Sequence, residues 1–168
     1  MRVALTGTPG TGKTTVSDLL TVDLDVVHLN ERIEDEGLYD EVDEERGSVV
    51  ADLDAVRDAL ADRDDVVVES HLSHYLDVDR VVVLRCHPEK LEARLRERGV
   101  DEAKATENAE SEALDVVLAE AVERHGRERV YEVDTTDRDP ESVAREVERA
   151  IRGERDPSAG EVDFTGYL

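Results

Sequence analysis

Eight residues near the start of the sequence carry its densest chemical signal. Gly7-Thr8-Pro9-Gly10-Thr11-Gly12-Lys13-Thr14 fits the pattern G-x-x-x-x-G-K-[ST]. The residue types explain the pattern. Glycines let the backbone curl until consecutive N–H groups face inward, where phosphate oxygens can be bound. A helix beginning at that point adds the positive end of its dipole. Lys13 is expected to reach the β- and γ-phosphates, the Thr14 hydroxyl to ligate Mg²⁺, and Thr15 to add a hydroxyl contact to the α-phosphate. The expected ligand is ATP with Mg²⁺ and the expected chemistry is phosphoryl transfer. A glycine-rich turn with an exposed lysine would give the same letters. The apolar run RVALT before the loop and the helical pattern after it argue for the phosphate loop instead.

Such a loop needs an acid near the metal, usually at the end of a neighbouring strand. Glu69 ends the run VVVE, and His71 and His74 follow it directly. An ordinary solvated strand end competes with the metal reading of Glu69, and each histidine alone is as often packed as functional.

The elements that must position these groups can be read from apolar spacing. Strands are predicted at Arg2–Thr6, Asp25–Leu29, Asp65–Glu69, Arg80–Leu84 and Val130–Val133, the middle ones as continuous Val runs suited to burial on both faces. Helices are predicted at Thr14–Leu20, Asp52–Arg63, Pro88–Arg98, from a Thr106 cap to about His125, and at Pro140–Ile151. Val100–Ala105 reads as a short connection. Asn30–Ser48 reads as a mobile acidic insert with breakers at Gly37 and Gly47 and a short helix at Glu31–Asp35. Gly153–Leu168 reads as a polar tail docked by Phe164, Tyr167 and Leu168. Alternating strands and helices imply an α/β fold, a five-stranded parallel sheet with helices on both faces.

Length and composition agree. The chain has 168 residues, suited to one core, and only 3% aromatics, so that core is aliphatic. No apolar run approaches the roughly 20 residues of a membrane span, and no signal peptide is read at MRVALTG. A single cysteine, Cys86, fits a reducing cytoplasm. Acids number 44 against 21 Lys plus Arg, a formal net charge of −23. Disorder is set aside because Val-rich segments recur throughout. An acidic interaction surface is one remaining reading. Adaptation to concentrated salt, where the Debye length falls to about 3 Å at 1 M, is the one that acids scattered over every helix favour. The charge also argues against direct nucleic-acid binding.

Four segments together, GTPGTGKTT, ERIEDEGLYDEVDEERG, VVVESHLSH and LEARLRERGVDEAKATENAESE, resemble the adenylate kinase isoenzyme 6 family. The resemblance runs from Arg2 to about Glu123. It implies the P-loop NTPase fold over residues 1–152, with a nucleoside-monophosphate-binding region at about 28–51 and a short lid at about 97–107. It implies that Gly10, Gly12, Lys13, Thr14 and Thr15 bind ATP, that Arg98 closes onto ATP with the lid, and that Lys104 is the lid lysine. The family's Walker B element is usually Asp-x-His; here it is Glu69-Ser70-His71, with His71 matching the histidine associated with hydrolysis. Arg32 is the nearest candidate for the acceptor phosphate, and Arg94 a further phosphate candidate. The implied reaction is ATP + AMP ⇌ 2 ADP, with a role in small ribosomal subunit maturation through a ribosomal protein partner. An ATPase-type assembly factor with little kinase role, or a small P-loop kinase for another acceptor, are the alternatives.

Overall fold

The computed structural model describes residues 1–44 and 48–168. Five parallel strands form the central sheet: β1 (Arg2–Thr6), β2 (Asp25–His28), β5 (Val66–Glu69), β6 (Arg80–Arg85) and β7 (Val130–Asp134), in the order β2-β5-β1-β6-β7. The register pairs Leu5 with Glu69 and His28 with Glu69, so the carboxyl ends of β1, β2 and β5 finish side by side. In open parallel sheets that rim is where ligands bind.

Alternation along the strands divides the core. Val3, Leu5, Val67, Val82 and Leu84 face one layer, packed by Val16 of α1 (Lys13–Asp18) and by Val143, Val147 and Ile151 of α7 (Pro140–Ile151). Ala4, Val66, Val68, Val81 and Val83 face the other. There they meet α2 (Leu29–Glu36), α3 (Leu53–Leu60) and α6 (Val116–His125) through Leu29, Ile33, Val56, Leu60 and Leu118. The Val runs are fully buried, as expected of strands covered on both faces. Helix starts carry their own signals. Asp52 caps α3 by accepting from the Ala55 N–H at 3.1 Å, and Asp139 caps α7 by accepting from the Ser142 N–H at 2.8 Å. Pro88 opens α4 (Pro88–Glu97).

The structure departs from the sequence reading in three places. Among the described residues of 30–48 the insert is not one short helix in an unstructured segment: after α2 and Gly37 the chain forms β3 (Tyr39–Asp43), paired antiparallel with β4 (Ser48–Ala51). Gly47, the second expected breaker, lies outside the described residues. The expected Thr106–His125 helix is two helices, and its start is wrong. The chain turns helical at Glu102, inside the expected connection, and α5 (Glu102–Ala113) ends at a break where Asp115 takes φ 58°. The Asp115 carboxylate there accepts from Arg85 Nη2 at 2.5 Å, an ion pair that holds the kink. In the tail, Phe164 and Tyr167 dock but Leu168 does not, being 65% exposed.

Candidate active site

The phosphate loop joins β1 to α1. Gly12 closes it at φ +96°, a left-handed value that L side chains rarely adopt, so a β-carbon there is strained despite open space around it. Gly10, at φ +94°, is also sterically fixed: an added Cβ would meet Leu91 and Leu95 of α4 at 2.9 Å. Inside the loop, Lys13 Nζ donates to the Gly7 carbonyl at 3.0 Å and to the Thr8 carbonyl at 3.1 Å. Burial pushes this ammonium down to about 8, against the pull of Glu69 and Glu112 and with the help of Arg98 nearby.

Glu69, the expected acid, stands beside the loop. Thr14 Oγ1 donates to Glu69 Oε1 at 3.1 Å, so the extra methylene of Glu still brings its carboxylate to the loop. The other oxygen, Glu69 Oε2, lies 3.1 Å from His28 Nδ1, and His28 Nε2 lies 3.3 Å from Asp18. The Glu69 hydrogen bond holds the His28 imidazolium above the usual histidine range. Among the described residues no group of three or more His, Cys, Asp or Glu side chains gathers as a metal site.

His71 is held differently. Asn30 accepts from Ser70 Oγ at 2.6 Å and turns its amide N–H toward His71 Nδ1, 3.4 Å away. Burial and the charge of Lys13 push His71 down to about 4. With Nδ1 accepting, the neutral ring carries its proton on Nε2.

Two clefts open on this rim. One, of about 700 Å³, is lined by the loop from Pro9 to Val16, by Glu69, and by Arg94, Thr135 and Arg138 across from it. The second, of about 540 Å³, is lined by Ile33 and Glu34 of α2, by Val49 and Ala51 of β4, by Tyr75, and by Lys104, Asn108 and Ser111 of α5. They share Pro9, Asn30, His71 and Arg98. Two cavities meeting at a cation and an imidazole can hold two ligands with reacting ends together.

A family model described as "AAA domain" matches residues 3–115. A "Putative adenylate kinase" of Natronomonas pharaonis is 62% identical over the whole of both chains. The chain belongs to this archaeal adenylate-kinase-like family. A more distant member of the same name, from Methanosarcina acetivorans, is 47% identical over 90% of this chain and 86% of its own. Among solved structures, shikimate kinase from Bacteroides thetaiotaomicron aligns with a TM-score of 0.62 at 20% identity, covering 90% of this chain and 98% of its own. The deoxyadenosine kinase of M. mycoides with bound dATP aligns at 0.59 and 13%, covering 90% of this chain and 100% of its own. These likenesses show the P-loop kinase fold.

On this adenylate-kinase-like scaffold, Gly10, Gly12, Lys13, Thr14, Thr15, Glu69, His71 and Arg98 all line the loop cleft. Arg32 lines neither cleft. It is committed to Glu36 one turn along α2, with Nε 2.7 Å and Nη2 3.2 Å from the carboxylate. Lys104 lines the second cleft and Arg94 the first. The sequence reading missed His28, Asn30 and Arg138. His28 had a usable signal, a histidine closing a strand beside the Glu69 strand. Arg138 had none, because its place depends on how the chain leaves β7.

Proposed function

We propose that the protein is a nucleoside monophosphate kinase, specifically an adenylate kinase running ATP + AMP ⇌ 2 ADP. The observation that carries this reading is the pair of clefts meeting at Arg98 and His71. A hydrolase needs only the donor cleft; a small-molecule kinase needs both. The names of the relatives point the same way, as does the resemblance to the isoenzyme 6 branch.

In this reading the loop amides and Lys13 take the phosphates of ATP, with Thr15 beside them. The residues present fit Mg²⁺, because the Thr14 hydroxyl and the Glu69 carboxylate are hard oxygen donors placed together at the loop. When bound, the ion would neutralise charge on the β- and γ-oxygens. Lys13 moves off its two carbonyls onto phosphate, and Arg98 offsets charge developing between the nucleotides. The acceptor occupies the second cleft, with residues 28–51 as its binding region and 97–107 as a lid that excludes water. Arg98 and Lys104, rather than Arg32, are the cations assigned to its phosphate. The buried, unpaired Cys86 is consistent with a cytoplasmic setting.

A second reading, ATP hydrolysis in the service of small-subunit assembly, draws on His71. Its Nε2–H can orient a water or a phosphate oxygen at the donor cleft. Accepting a proton there would cost the Asn30 hydrogen bond, so His71 serves better as an orienting donor than as a base.

The test is an acceptor screen in multimolar salt, measuring ADP from ATP–Mg²⁺ with AMP, dAMP, CMP, UMP, GMP or no acceptor, with and without a basic ribosomal protein. AMP-dependent turnover, abolished in Lys13→Ala, is expected. Acceptor-independent hydrolysis stimulated by the ribosomal protein, with no AMP-dependent turnover, would establish the second reading and remove the first.

A further inference from the structure

Thr8, the second residue of the phosphate loop, is tied to a buried charge cluster that reaches the far end of the chain. Its carbonyl is the hub of the loop: it accepts from Lys13 Nζ at 3.1 Å and from Thr11 Oγ1 at 2.9 Å. Its hydroxyl donates to Glu112 Oε1 at 3.2 Å. Glu112 lies on α5, one position beyond the Ser111 that lines the second cleft, and is 2% exposed. The same Oε1 accepts from Arg85 Nε at 3.1 Å, and Oε2 accepts from the Cys86 N–H at 2.9 Å.

Arg85 is wholly buried, and its guanidinium is spent. Nη1 donates to Glu132 at 2.7 Å, while Nη2 donates to Asp115 at 2.5 Å and to the Glu112 carbonyl at 3.1 Å. It therefore binds no phosphate. The C-terminal segment closes the cluster. The N–H groups of Gly160 and Glu161 donate to Glu132 Oε1 at 2.5 and 3.0 Å, and the Phe164 ring lies 5.3 Å from the guanidinium carbon.

Stability is a poor explanation for this cluster. Three carboxylates around one buried guanidinium carry a desolvation cost that a packed apolar set would avoid. Direction is what the charges supply: Glu112 is fixed from two sides, and it fixes Thr8. We propose that Glu112 is a positioning residue for the phosphate loop, aimed by Arg85 and held by the C-terminal segment that seals Glu132 and Arg85. Resting on the kinase reading, this gives the tail a part in ATP binding at a site it does not touch.

The variants are Thr8→Val, which keeps the shape and deletes the hydroxyl, Thr8→Ser, which restores it, and Phe164→Ala, at a half-exposed ring. Binding of ATP–Mg²⁺ and of AMP is measured by calorimetry in multimolar salt, with thermal melting as the check on folding. Losing a hydrogen bond to a carboxylate predicts roughly tenfold weaker ATP binding in Thr8→Val, and about threefold in Phe164→Ala. Thr8→Ser should lie within about twofold of the parent. Because Thr8 also lines the second cleft, AMP affinity is compared in Phe164→Ala, where it should be unchanged. Parental ATP affinity in Thr8→Val, or no recovery in Thr8→Ser, would overturn the assignment. Parental affinity in Phe164→Ala would remove the tail from it. ATP binding requires no acceptor, so a failure of AMP to bind or react would count against the kinase reading while leaving this comparison intact.

Discussion

At the scale of single residues, Lys13 is held between two states. Without phosphate it rests on the carbonyls of Gly7 and Thr8, and burial lowers it to about 8. Phosphate on the loop would restore the ordinary lysine preference for charge. The sign follows. As pH rises through about 8 the free protein loses this proton, while the complex keeps it, so binding takes up a proton there. ATP affinity should be flat below about pH 8 and fall above it by up to about tenfold per unit. Calorimetry from about pH 6.5 to about 9.5 would show this, and a level profile would refute it. His71 makes a separate prediction. Held neutral down to about 4, it should orient rather than titrate. His71→Ala is expected to reduce hydrolysis more than AMP phosphorylation, and equal losses would erase the distinction.

At the scale of elements, local signals and long-range ones part company. The Val-rich strands were legible because burial on both faces selects β-branched runs. Helix α3 was legible from its phase, and its Asp52 cap yields a prediction: Asp52→Ala should cost about 1 kcal/mol, a fall of roughly 2–4 °C in melting temperature at this size. No shift would mean that the Ala55 N–H finds water as good a partner. The β3–β4 pair was not legible, since YDEVD carries three acids among five residues and exposes Val42 on its outer side. The break at Asp115 was not legible either. Its left-handed residue depends on Arg85, thirty positions away, and no window along α5 and α6 contains that partner. Loop chemistry asks for an acid such as Glu69 near Lys13 and Thr14, whereas His71 and Arg98 came only from the family resemblance; all of them line the loop cleft. Glu112 was one acid among 44, and Arg32 was misplaced because Glu36 claims it.

At the scale of the molecule, the formal charge of −23 sits almost wholly outside the core. Surface carboxylates repel at low ionic strength, and salt at about 1 M screens them beyond roughly 3 Å. The melting temperature should therefore rise steeply from dilute buffer to multimolar KCl, followed by circular dichroism. Full stability without salt would show instead that the acids serve a partner. The Arg85 cluster, being buried, should contribute little to that slope.

The sheet's register also governs how the protein comes into being. Strand β1 is central, yet Arg2 pairs with Val66 and Val3 with Arg80. Strand β1 is thus made as an apolar ribbon well before its two neighbours, which come much later in the sequence. Local turns cannot nucleate such a sheet, and closing those long loops slows its assembly. Nascent chains should spend that interval with both edges of β1 exposed, in need of chaperone cover, and blind to nucleotide until β6 has docked.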